Sequence, residues 1–191
     1  MRELYDRNEL AAALRDARDY TLSIYAHLDE QALRFPYVRT VNPPLWELAH
    51  VAWFQEHWCL RWKDAAPASD SMLPGADPIL NSALIAHAAR WELRQLTWPL
   101  VRRYLADVLD ATQARLAREP AADPYFPLLA LYHEDMHAEA FLMTLQTLGL
   151  PGPPPCRAVA MPSAAAGAAD ENVFERGRLE VGSGHRPDFV F

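Results

Sequence analysis

The chain has 191 residues, of which 51% are hydrophobic and 23% charged, enough to bury one substantial core with room for an appendage. Its 18 basic and 25 acidic side chains leave a net charge of −7, no electrostatic footprint for a polyanion, so nucleic acid is set aside as a partner. The N-terminal MRELYDRNEL lacks the basic-then-apolar order of a signal peptide, and no apolar run approaches the roughly 20 residues that span a bilayer, so a cytoplasmic protein with no membrane association is expected.

Between about residues 6 and 29, Leu10, Leu14, Ala17, Thr21, Ile24 and Leu28 recur at steps of three and four, which predicts an amphipathic helix with Asp6 or Asn8 as N-cap. A second helix is expected from Pro43-Pro44 to about Trp62, with Asn42 supplying the cap and the prolines lying where a missing N–H costs a helix start nothing. It is apolar nearly all round, with Trp46, Trp53, Trp58 and Trp62, and should lie inside the bundle. Residues 63–78 lack periodicity and read as a loop, followed by a short helical piece over 81–94. Leu100, Tyr104, Leu105, Val108, Leu109, Thr112 and Leu116 predict a third long helix over 97–118, ended by Pro120. A fourth, from Pro124 or Pro127 to Leu148, should stop at Gly149 and Pro151. Residues 1–150 are thus expected to form an all-α bundle. Residues 151–169, with five prolines and many alanines, read as a linker, and residues 170–191 as the strand-like start of a second unit.

Only two cysteines occur, Cys59 and Cys156, so any metal would have to be held by histidine or carboxylate. His133 and His137 stand four apart on the fourth helix, on successive turns of one face, where two imidazoles can share one metal. His50 is the candidate for a third ligand. It lies midway along the most apolar helix, where a lone buried imidazole would cost about 1–3 kcal/mol that ligation removes. His57 lies on the same stripe and is left outside the set. The run HEDMH also satisfies the His-Glu-x-x-His pattern of zinc peptidases, but no third histidine follows at the metzincin spacing, and a later glutamate ligand would have to be Glu171 or Glu175. Glu134 and Glu139 are expected on the solvated side or behind the ligands, with Glu139 placed to orient a ligand histidine. Three neutral imidazoles suit Zn, Fe(II) or Cu, and ligand type alone does not choose.

Pro43, Trp46, His50, Trp53, Phe54 and Glu56 resemble the P-x-x-W-x-x-x-H-x-x-W-F-x-E signature of the sulfoxide synthases of ergothioneine biosynthesis, and His133, Glu134, His137 and Glu139 are similar to their H-E-x-x-H-x-E segment. The resemblance covers residues 5–150. It implies a DinB-like four-helix bundle in which His50, His133 and His137 ligate a mononuclear non-haem Fe(II), with Zn as the alternative. In that family the bundle precedes a domain like the formylglycine-generating enzyme, whose opening strands residues 178–191 resemble. Enzymes of this kind use O2 to join a sulfur donor to hercynine. Their catalytic tyrosine and most of the hercynine pocket belong to the second domain, so no catalytic residue is assigned here, and residues 1–191 alone are not expected to turn over. Arg90 matches an arginine that grips the donor's carboxylate, whereas His87 stands where a second arginine is expected. That departure resembles the selenoneine-synthase branch, whose donor is a selenosugar. Two other classes compete: a stand-alone DinB-like thiol transferase, in which a Zn-type ion lowers a thiol pKa and residues 170–191 are not needed, and a bundle whose histidines are structural.

Overall fold

The computed structural model describes residues 6–119, 123–153 and 177–178. Four long helices form a bundle: α1 (Arg7–Tyr25), α2 (Pro44–Glu56), α4 (Trp98–Arg118) and α5 (Tyr125–Leu148), with a one-turn helix, α3 (Ala76–Leu80), between α2 and α4. The expected linker and strand-like segment lie outside the described residues, apart from 151–153 and 177–178, as do Pro120 and Cys156. Among the described residues no helix is long and apolar enough to cross a membrane.

Local chemistry accounts for most boundaries. Asp6 and Glu9 form a reciprocal capping box at the start of α1, and Leu10, Leu14, Ala17, Thr21 and Ile24 form its buried stripe. The helix stops at Tyr25, short of the expected 29; the Leu28 N–H then bonds to the Tyr25 carbonyl, and the Asp29 side chain accepts from the Ala32 N–H in the turn that follows. α2 buries every residue except Phe54. Its first turn has no side-chain cap, and Asn42, expected in that role, accepts a hydrogen bond from Arg90 instead. Beyond Glu56 the helix widens into a π-helical turn, His57–Arg61, so Trp62 leaves it and enters a two-residue strand. α5 closes on Gly149 at φ +66, a left-handed position suited to glycine, which returns its N–H and that of Leu150 to the last turn.

The stretch 63–78, expected as a loop, holds an antiparallel hairpin, Trp62–Lys63 with Ala66–Pro67, whose turn places Asp64 and Ala65 at positive φ, and then α3. Two-residue strands and a five-residue helix are too short to leave a periodic trace. The piece expected over 81–94 is a 3-10 helix, His87–Glu92.

Two apolar clusters fill the bundle. One gathers around α2, with Trp46, Leu48, Val51, Leu105, Phe141 and Leu145; the other joins Leu10, Leu14, Leu116, Leu128 and Leu131. In the same interior lies Arg18 of α1, only 2% exposed. Its guanidinium donates to both carboxylate oxygens of Glu134 on α5 at 2.7 and 3.0 Å, to Gln55 Oε1 on α2 at 2.7 Å, and to the Leu105 carbonyl on α4. One side chain therefore bonds to all three other long helices, and Glu134, expected on the solvated side or behind the ligands, is the buried anion that neutralises it. Removing one partner of a buried pair strands the other charge, which typically costs about 3–5 kcal/mol. Arg18→Ala should lose roughly that much stability in urea unfolding, and a change under about 1 kcal/mol would show that the pair does not bear on folding.

Candidate metal centre

α2 and α5 each project histidines into the interior between them. His50 sits in the stripe Trp46, His50, Trp53, sandwiched by indoles: Trp46 lies parallel at 5.0 Å and 5°, Trp53 at 5.9 Å and 22°. His133 stacks flat on Phe54 at 3.6 Å. His137 lies one turn further along α5, with ring centroids 4.5 Å from His133 and 5.2 Å from His50. The ligand-capable atoms of the three all lie within 4.8 Å of one another, and all three residues are buried. The triad can therefore bind a metal.

The hydrogen bonds around the triad decide which nitrogens are free. His50 Nδ1 is 2.7 Å from the Leu80 carbonyl, which can only accept, so Nδ1 carries the proton and Nε2 the lone pair. His137 Nδ1 is 2.7 Å from Glu47 Oε1, and the carboxylate imposes the same tautomer. His133 Nδ1 is buried without a hydrogen-bond partner among the described residues. Burial first, and then the neighbouring imidazoles, hold His133 down to about 2; burial, followed by His137, holds His50 down to about 4. Both rings are thus neutral at physiological pH, the form a metal requires. Lone pairs aimed into a shared interior, an unpartnered buried ring nitrogen and a carboxylate backing one ligand are what a cation site needs, so the residues fit a metal ion.

Other candidates fall elsewhere. Glu139, expected to orient a ligand histidine, lies on the exposed side of α5, and the carboxylate that meets His137 belongs to Glu47 on α2. Glu47 is buried, with Oε2 unpartnered among the described residues. Its signal in the sequence was an acidic residue on a helix with no other polar reason to hold one. His57 packs against Trp53 and Trp62 at 4.9 and 5.3 Å and is not part of the triad. Arg90 stacks its guanidinium 4.1 Å over Trp46, the indole that lies parallel to His50. It donates to Asn42 Oδ1 at 2.8 Å and the Ser82 carbonyl at 3.1 Å, while its Nε is buried without a partner among the described residues. Arg34, Arg94 and Trp91 line the same small cavity, of about 40 Å³. His87 Nε2 is 2.9 Å from the Val41 carbonyl, so it donates to backbone.

Among curated proteins the chain is similar to three named hercynine oxygenase. That of Mycolicibacterium thermoresistibile is 33% identical over 141 residues, covering 73% of this chain and 31% of the relative. That of Mycobacterium tuberculosis is 33% identical over 139 residues, covering 72% and 32%. That of Mycolicibacterium smegmatis is 31% identical over 175 residues, covering 90% and 40%. The chain thus spans between 31% and 40% of the length of these relatives. The DinB superfamily profile matches residues 13–145, from within α1 to near the end of α5 and across all three histidines; the chain belongs to the DinB superfamily.

Proposed function

We propose that His50, His133 and His137 hold a mononuclear non-haem Fe(II), and that the chain is the metal-binding part of an O2-dependent enzyme that joins a sulfur or selenium donor to hercynine. The observation that carries this reading is the triad: three buried imidazoles from two helices, with a carbonyl and a carboxylate fixing two of their tautomers. The shared name of the relatives, hercynine oxygenase, supports hercynine and dioxygen as the reactants.

A bound ferrous ion held by neutral imidazoles would supply activation of dioxygen at its remaining coordination positions. The chain's own residues do the rest. Trp46, Trp53 and Phe54 wall the histidines with apolar rings and exclude water. Glu47 orients His137 and adds negative charge beside a cation, as the Leu80 carbonyl does more weakly for His50. Arg90, whose buried Nε has no partner among the described residues, favours a donor that carries an anionic group. His87 stands where a second guanidinium is expected and instead donates to the Val41 carbonyl, which suits a donor with no second anionic group, such as a selenosugar. The division into a bundle over 1–150, a linker over 151–169 and the opening of a second domain over 170–191 belongs to the same proposal; the 175-residue match to the M. smegmatis relative, too long for the bundle alone, supports it.

The metal assignment is tested by loading the chain anaerobically with Fe(II) and counting iron by elemental analysis. One ion per chain is expected, lost in His137→Ala; unchanged occupancy in that variant would remove His137 from the ligand set. Glu47→Gln should weaken metal binding by roughly 10–100-fold with the fold retained, since it leaves the ligands but removes the charge that backs one of them. An affinity equal to wild type would make Glu47 a packing residue. A full-length protein containing this chain should give the coupled sulfur or selenium product of hercynine only with Fe(II) and O2, followed by mass spectrometry. O2-independent thiol transfer with Zn(II) would instead establish the transferase class.

A further inference from the structure

The ligand face of α2 is stitched to α3 along its length. Trp46 Nε1 donates to the Ile79 carbonyl at 2.7 Å, His50 Nδ1 to the Leu80 carbonyl at 2.7 Å, and Trp53 Nε1 to Asp77 Oδ1 at 2.8 Å. The first two acceptors are carbonyls at the C-terminal end of a helix, which have no partner within it and carry its negative end. α3 is only five residues long and contains Pro78, so it cannot hold itself in place. What fixes it is the burial of Ala76 and Leu80 and the side chain of Asp77. Besides Trp53, the Asp77 carboxylate receives both terminal nitrogens of Arg61, at 2.8 and 2.7 Å. Arg61 is itself buried at the π-helical end of α2 and donates through Nε to the Ser69 carbonyl. Arg61 holds the Asp77 carboxyl down to about 2, so the clamp is charged throughout the working range of pH.

We propose that Asp77 is a positioning residue for the metal centre: by clamping α3 to Trp53 and Arg61 it keeps the Leu80 carbonyl against His50 Nδ1, and so keeps the Nε2 lone pair of His50 turned to the metal. Its connection to metal affinity rests on the three-histidine reading above, whereas its connection to the His50 tautomer does not. The role runs from a half-exposed carboxylate through one helical turn of backbone to a ligand ring, without contact between Asp77 and the three histidines. A carboxylate that merely stabilised the fold would lower the melting temperature and leave the ligand ring unchanged.

The test uses the whole chain, with Asp77→Ala, Asp77→Asn, which keeps an acceptor for the Trp53 indole, and Leu14→Ala in the other apolar cluster as a control for lost stability. Long-range proton–nitrogen NMR spectra of the metal-free protein report the tautomer of each histidine. Wild type and Asp77→Asn should show His50 protonated at Nδ1; Asp77→Ala should show a mixture of tautomers at His50 alone, and Leu14→Ala none. In Co(II) titrations followed by ligand-field absorption, Asp77→Ala should bind about tenfold more weakly or worse, Asp77→Asn between it and wild type, and Leu14→Ala like wild type. An unchanged His50 tautomer in Asp77→Ala, or equal losses of affinity in Asp77→Ala and Leu14→Ala, would overturn the role. Failure of wild type to bind Co(II) would instead overturn the metal reading, with the tautomer spectra still deciding the role of Asp77.

Discussion

The buried guanidinium of Arg18 constrains the rest of the molecule. A charge in the interior must be met by an anion and by acceptors for its remaining N–H groups, and here they come from α5, α2 and α4 in turn. Because Glu134 has to face Arg18, the rotation of α5 about its axis is set. His133 precedes Glu134 directly and His137 follows one turn later, so both histidines then reach the interior facing α2. Because Gln55 has to face the same guanidinium, the register of α2 is set as well, and with it the positions of Glu47 and His50. The two helices that carry the triad are thus indexed to one side chain on a third helix.

With that frame fixed, the triad is an interior in which polar atoms outnumber their protein partners. His133 Nδ1 and Glu47 Oε2 are buried without a hydrogen bond among the described residues, a costly state for a native core. His50 and His133 are held neutral by burial and by the neighbouring imidazoles. A cation resolves both difficulties, since it uses imidazole lone pairs directly and gives the glutamate a charge to oppose. The aromatic residues around it have a matching role: flat contacts from Trp46 and Phe54 fix the ring planes of His50 and His133 without competing for their nitrogens.

The long helices were legible because each buries a wide stripe, and a stripe repeated over four or more turns leaves its period in the chain. The histidines were legible as candidates for the same reason, since helical spacing alone puts His133 and His137 on one face. Where several partners compete for one side chain, local reading chose wrongly. Asn42 is a good cap by type, yet the distant Arg90 takes its oxygen. Glu139 shares α5 with His137, yet two residues further on it faces the opposite side, and a carboxylate 90 residues earlier does the work. Glu134, as a charge on a helix, suggests a place near solvent or behind the ligands, and only the presence of Arg18 116 residues away makes its burial favourable. Such pairings are decided by tertiary packing and leave no local trace.

The DinB superfamily match spans both helices that carry the triad, and the ion proposed there would take its protein ligands from histidine alone. Iron K-edge X-ray absorption on the anaerobically loaded chain tests this most directly. Three imidazole nitrogens are expected in the first shell, recognisable by the multiple scattering of their rings, with oxygen as any further scatterer. A sulfur scatterer, or fewer than three imidazoles, would contradict it.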